Sequence, residues 1–279
     1  MNCKIVADSS SNMFSLEDVP FSSVPLKIIT SQAEYVDTPD LDVEAMVNAL
    51  KNTKGKSGTS CPNVHDYLES FGCAEQIYAV TITSNLSGSC AAARQAKEQY
   101  QQEHPEAQVC VVDSLSAGPE LRLIVEKLKE LILEGKPFRK IQEAIRTYQS
   151  HTHLLFSLQS LTNLARNGRV SPMVAKVAGV LGIRIVGTAS QEGTLQPLHK
   201  CRGEKKALET ILSEMKERCF RGGKVRICHC FNPESAGQLR DMILSHFPSS
   251  DVLIEPCTAL CSFYAERGGL LVGFADANA

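Results

Sequence analysis

The segment QIYAVTITSNLSGSCAAARQAKEQYQQEHPEAQVCVVD, Gln76 to Asp113, is a strand, a turn, a helix and a second strand in succession. Gln76–Thr83 and Gln108–Asp113 are short apolar runs that suit buried strands. Between them Ser87–Tyr100 is rich in Ala, Gln, Lys and Glu, which favour helix. The same alternation extends in both directions. Lys4–Ala7 is another buried strand, and Asp42–Lys51 places Val43, Met46, Val47 and Leu50 at helical spacing. Leu121–Leu133 repeats Leu and Ile every three or four residues, and Pro137 starts a further helix ending near Tyr148. Strand–helix alternation of this kind predicts an α/β domain with a largely parallel sheet.

From Gln149–His153 onward the pattern changes. Candidate strands are His153–Phe156, Ile183–Val186, Thr194–His199, Lys224–Phe231, Val252–Ile254 and Leu270–Phe274. Helices are expected at Ser160–Ala165, Pro172–Leu181, Glu204–Arg218 and Pro233–His246. Gln191-Glu192-Gly193-Thr194 is a hairpin turn and implies antiparallel pairing. The chain is therefore read as two α/β domains, residues 1–152 with a largely parallel sheet and residues 153–279 with a mixed or antiparallel one.

Composition narrows the function. The 279 residues are 43% hydrophobic and 22% charged, the profile of a globular chain rather than a disordered, collagenous or coiled-coil one. Lys and Arg number 29 against 31 Asp and Glu, a net charge of −2, so no global field points to nucleic acid or an anionic membrane. No apolar run reaches the roughly 20 residues of a membrane span. Asp8-Ser9-Ser10-Ser11 interrupts the start before a signal sequence could form, so a cytoplasmic protein is expected. Eleven cysteines, an odd number without C-x-x-C pairs, fit free thiols. In Cys228-His229-Cys230, strand alternation separates the histidine from the two thiols. His151 and His153 share a face but have no evident third ligand nearby. No metal site is expected.

Three polar loops border regular elements: Asp8–Ser11 after the first strand, Gly58-Thr59-Ser60-Cys61-Pro62 opening a helix, and Thr83-Ser84-Asn85-Leu86-Ser87-Gly88-Ser89 between a strand and a helix. Ligands of open α/β sheets collect beyond the carboxyl ends of strands, and hydroxyls with free helix-start N–H groups receive anions. Capping alone explains any one such loop. Two flanking the same strand region are harder to assign to capping, which leaves the doubled serines and Gly88 unexplained; a carboxylate or a phosphate would both fit there. Ser114-Leu115-Ser116-Ala117-Gly118 lacks the first glycine of a nucleophile elbow, and no Walker or G-x-G-x-x-G loop is present. Binding without catalysis is the leading reading. A serine-dependent acyl- or phosphoryl-transfer enzyme using Ser84 or Ser87, or a binder of another small anion, is the alternative. Between Ala165 and Lys206 there are eight Lys or Arg against two Glu, a local excess of +6. That stretch is either a solvated face or a docking surface for an acidic or phosphate-bearing partner.

Taken in order, these motifs resemble the DegV family, which includes the fatty-acid-binding subunits of bacterial fatty acid kinase. The resemblance rests on Ile5-Val6-Ala7-Asp8-Ser9-Ser10, Thr59-Ser60-Cys61-Pro62, Thr83 through Ser89, Val112-Asp113-Ser114, Leu161 through Ser171, and Lys200 through Ala207. It implies a two-domain α/β protein that holds one long-chain fatty acid, such as palmitate, between its domains and uses no other cofactor. Thr59 and Ser84 would bind the carboxylate, with Ser60, Asn85 and Ser87 as further candidates. The resemblance also implies that a separate ATP-dependent kinase could act on the bound acid, meeting the protein at Arg169, Lys200 and Arg202. The chain departs from the family at two places. Tyr264-Ala265-Glu266-Arg267-Gly268-Gly269 stands where H-x-G-P-G or H-x-G-x-G is common, so Tyr264 takes the position of a histidine near the ligand head. Arg184-Ile185-Val186-Gly187 stands where many relatives have K-P-[IV]-[IL].

Overall fold

A computed structural model describes residues 2–52, 55–173 and 182–279. The helix expected over Pro172–Leu181, with Ala175, Ala178 and Gly179, lies outside the described residues from position 174 onward. Strands β1 (Cys3–Asp8), β2 (Phe21–Val24), β6 (Gln76–Thr81) and β7 (Gln108–Asp113) form one sheet in the order β2-β1-β6-β7, with every neighbouring pair parallel. Side chains alternate between its two faces. Val6, Ile77 and Ala79 meet the helices Val64–Phe71 and Ser89–Glu103 on one face. Ile5, Ala7, Tyr78 and Val80 meet Pro119–Leu133 and Phe138–Gln149 on the other. The expected parallel α/β sheet is present.

The second sheet is mixed, as the hairpin signal implied. It contains β8 (Thr152–Leu158), β9 (Ile183–Ala189), β10 (Leu195–Arg202), β11 (Lys224–His229), β12 (Asp251–Pro256) and β13 (Leu270–Ala275), in the order β10-β9-β8-β13-β11-β12. Its β11–β12 pair is parallel and the rest are antiparallel. Helices Glu204–Glu217 and Pro233–His246 cover one face. The other face turns toward the first sheet, where the Pro119–Leu133 helix packs on β13. Gly273 makes this approach possible, since a Cβ there would lie 2.6 Å from the Pro119 carbonyl carbon and 2.7 Å from Glu120 N.

A third sheet was not anticipated. Strands β3 (Lys27–Ile29), β4 (Glu34–Val36) and β5 (Gly58–Ser60) pair antiparallel in the order β4-β3-β5. Ile28 packs beneath it with Met46, Val47, Ala259 and Phe263. The helix expected to open at Gly58–Pro62 starts instead at Val64. Asn63 and Asp66 form its capping box, which leaves Thr59 and Ser60 on an extended strand. Cys61 and Pro62, ahead of the Asn63 cap, therefore separate these hydroxyls from the N–H groups of the helix start.

Candidate functional site

The β1 strand ends on Asp8, a fully buried carboxylate. It accepts hydrogen bonds from the Ile82 N–H at 2.9 Å, from Ser89 Oγ at 2.5 Å and from Ser10 Oγ. Burial pushes its carboxyl above the usual range, and these donors oppose that shift. Tyr67 Oη lies 2.6 Å from Ser89 Oγ; because Ser89 spends its proton on Asp8, Tyr67 is the donor. The Asp-Ser-Ser turn is thus a buried polar brace that fixes Ser10 and the start of the Ser89–Glu103 helix.

Opposite this brace stands the helix Ala259–Ala265. Asp37 holds its first turn, accepting from the N–H groups of Ala259 (2.8 Å) and Leu260 (3.2 Å) and from Thr258 Oγ1 (3.2 Å). Asn12 adds a bridge: its Oδ1 accepts from Thr258 N at 2.6 Å and its Nδ2 donates to the Pro256 carbonyl at 3.0 Å. Residues more than 200 positions apart are tied together in this way.

Between these elements lies a cavity of about 340 Å³. Leu154, Phe156 and Leu158, alternate residues of β8, form much of its floor, with Leu260 and Leu271 beside them. One part of its wall is polar. Thr59 Oγ1 and Tyr264 Oη meet at 2.7 Å, and Ser60, Ser87 and Arg169 line the same cavity. Arg169 Nε donates to the Leu86 carbonyl at 3.2 Å, which holds the guanidinium against the 83–89 loop. Burial raises the Tyr264 phenol, and the Thr59 contact opposes this, so the ring stays a neutral donor. Whichever hydroxyl of the pair donates, the other keeps its proton for a ligand. Thr59, Ser60, Ser87, Arg169 and Tyr264 are half-buried, as are Leu86, Leu195 and Leu271, while Ser10, Phe156, Leu158 and Leu260 are buried, so five of the six polar lining groups lie nearer solvent than the Phe156–Leu158 floor.

The expected site residues divide. Thr59, Ser60, Ser87 and Tyr264 come together on the cavity wall, although 205 positions separate Thr59 from Tyr264. Ser84 and Asn85 are exposed and do not line it. The Ser84 N–H is taken by Asp113 Oδ1 at 3.1 Å, and Asn85 Nδ2 donates to the Glu192 carbonyl at 2.5 Å. Arg169, read from sequence as a docking residue, is on the cavity wall. Lys200 and Arg202 are exposed on the edge strand β10. Ser10 was missed as a lining residue, and the Asp-Ser-Ser turn was the signal that could have found it. Among the described residues no cluster of three or more His, Cys, Asp or Glu could hold a metal. His151 and His153 both face the Asp276 carboxylate. No described helix is long and apolar enough to cross a membrane.

Two α/β layers close on an apolar cavity with a hydroxyl- and guanidinium-bearing rim, a lining that suits an amphipathic small molecule. The chain belongs to the DegV family: the family model, described as an uncharacterised protein family, matches residues 2–276. A DegV domain-containing protein of Streptococcus pneumoniae is 42% identical over 278 residues, covering 98% of this chain and 99% of the relative. Among solved structures, a DegV family protein from Eubacterium eligens loaded with heptadecanoic acid superposes with a TM-score of 0.97. It is 43% identical, with 98% and 99% of the two chains covered. The Streptococcus pneumoniae Fatty Acid Kinase (Fak) B3 protein loaded with linoleic acid also gives a TM-score of 0.97. It is 42% identical, with 99% of each chain covered.

Proposed function

We propose that this protein binds one long-chain fatty acid, with the acyl chain in the 340 Å³ cavity and the carboxylate at the Thr59–Tyr264 rim. One observation carries the reading. A buried apolar floor of Leu154, Phe156 and Leu158 shares a cavity with five hydroxyls and a guanidinium, the two halves of a fatty acid's chemistry. The relatives crystallised with heptadecanoic and linoleic acids support it. In this reading Thr59, Ser60, Ser87 and Tyr264 supply neutral donors. Arg169 supplies the charge, so it serves the ligand as well as any partner. Ser84 and Asn85 shape the loop rather than touch the head group. The two ligand-holding units divide near residues 152 and 153.

The protein acts as carrier rather than catalyst and offers the carboxylate to a separate ATP-dependent kinase. The carboxylate oxygen bonds to the γ-phosphorus, ADP leaves, and an acyl phosphate forms. Exposed Lys200 and Arg202 are the docking residues, a role supported by the likeness to the Fak B3 protein. Eleven unpaired thiols favour a reducing, cytoplasmic setting.

Native mass spectrometry of the purified protein tests the reading directly. A co-purified adduct with the mass of a single fatty acid, displaced by added palmitate, is expected. A protein that takes up no fatty acid from solution would refute it.

A further inference from the structure

Phe156 of β8 and Gly187 of β9 face each other in register. A Cβ built at Gly187 would lie 2.5 Å from Phe156 Cε2, closer still to Cζ, and 2.5 Å from the Gln196 carbonyl oxygen. The ring therefore occupies the space that a side chain at position 187 would need. Phe156 is 2% exposed and lines the cavity, flanked on the same face of β8 by Leu154 and Leu158. A glycine inside a strand marks a close approach, and here the approaching group is the ring on the cavity floor.

We propose that the Phe156–Gly187 pair is specificity-determining and sets the girth of the cavity along the acyl chain. With no side chain at 187, the ring lies down against the sheet and leaves room above it for a bent, cis-unsaturated chain. A methyl group at 187 would lift the ring into that room. A straight saturated chain needs less girth there and would suffer less. The inference rests on the reading of this cavity as the acyl site and adds which acyl chains it accepts.

The experiment measures the ratio of oleate to palmitate affinity, by competition in native mass spectrometry, for wild type, Gly187→Ala and Phe156→Leu. Contact with one methylene corresponds to about fourfold in affinity. Gly187→Ala should therefore lower the ratio by about fourfold or more. Phe156→Leu, which removes the ring, should raise it by about threefold. A pair that serves sheet packing alone would lower the melting temperature in both variants and leave the ratio unmoved, and that result overturns the proposal. Because Gly187→Ala also crowds the Gln196 carbonyl, it could fail to fold. Phe156→Leu then decides alone, and an unchanged ratio overturns the proposal. If wild type binds neither acid, the acyl-site reading itself fails, which a shifted or unshifted ratio cannot imitate.

Discussion

Glu120 should make the protein less stable as pH rises from about 4.5 to 7, and Glu120→Gln should remove that loss. Glu120 is 5% exposed in the first turn of the Pro119–Leu133 helix, three residues after the cavity-lining Ala117. It accepts from Thr152 Oγ1 at 2.7 Å and from Ser116 Oγ. Burial pushes it up to about 7, and the two hydroxyl bonds only partly offset this. An unfolded chain releases this proton near 4.5, whereas the folded chain holds it until about 7. Across that window the unfolded state binds fewer protons, so stability falls with rising pH and levels off above 7. A difference of about 2.5 pKa units at 1.36 kcal/mol each makes the loss about 3 kcal/mol. Glutamine keeps the shape and has no proton to lose, but it rearranges one hydrogen bond at a cost of about 1 kcal/mol. The variant should then be about 2 kcal/mol more stable than wild type at pH 8 and about 1 kcal/mol less stable at pH 4.5. Urea denaturation followed by circular dichroism from pH 4.5 to 8 gives both curves. Parallel curves for the two proteins would refute the reasoning.

Glu126 works in the opposite sense. Its burial raises the carboxyl, but Arg226 and Arg122 outweigh this and hold it below the usual range; Arg226 Nη2 lies 2.8 Å from Glu126 Oε2. Its contribution is present above about pH 4.5 and lost as pH falls through the depressed value. Glu126→Gln should cost about 3 kcal/mol at pH 7 by leaving the Arg226 charge short of a partner, read as a lower urea midpoint. At the rim, Thr59→Val combined with Tyr264→Phe should weaken palmitate binding by about tenfold or more in a fluorescence displacement titration, with little change in melting temperature. Wild-type affinity in that variant would remove the carboxylate from this position. Lys200→Ala with Arg202→Ala should leave palmitate affinity within about threefold, because both side chains are exposed and neither lines the cavity. The same pair should slow acyl phosphate formation when a cognate kinase and ATP are supplied, and unchanged turnover would remove the docking role.

Much of the scaffold was legible because its signals are local. The apolar runs at 76–81 and 108–113 and the helical spacing of Leu121–Leu133 depend on neighbours within a few residues, and each forms the expected element. Strands of three residues such as Lys27–Ile29 and Gly58–Ser60 are too short to show a period, and pairing across the third sheet is what makes them strands. The helix Ala259–Ala265 is buried nearly all round and so lacks an amphipathic stripe; Asp37, from the far end of the chain, caps it. The sequence by itself supplied the hydroxyl-rich loops and the tyrosine at position 264, and through them the chemistry of the site. Which hydroxyls face the cavity was decided by the fold. The 83–89 loop turns Ser87 inward and leaves Ser84 and Asn85 in solvent, and Thr59 meets Tyr264 only because two distant segments are packed on one core. Residue type fixes what a side chain can donate, but its direction belongs to the backbone, and the backbone is set by contacts hundreds of residues apart.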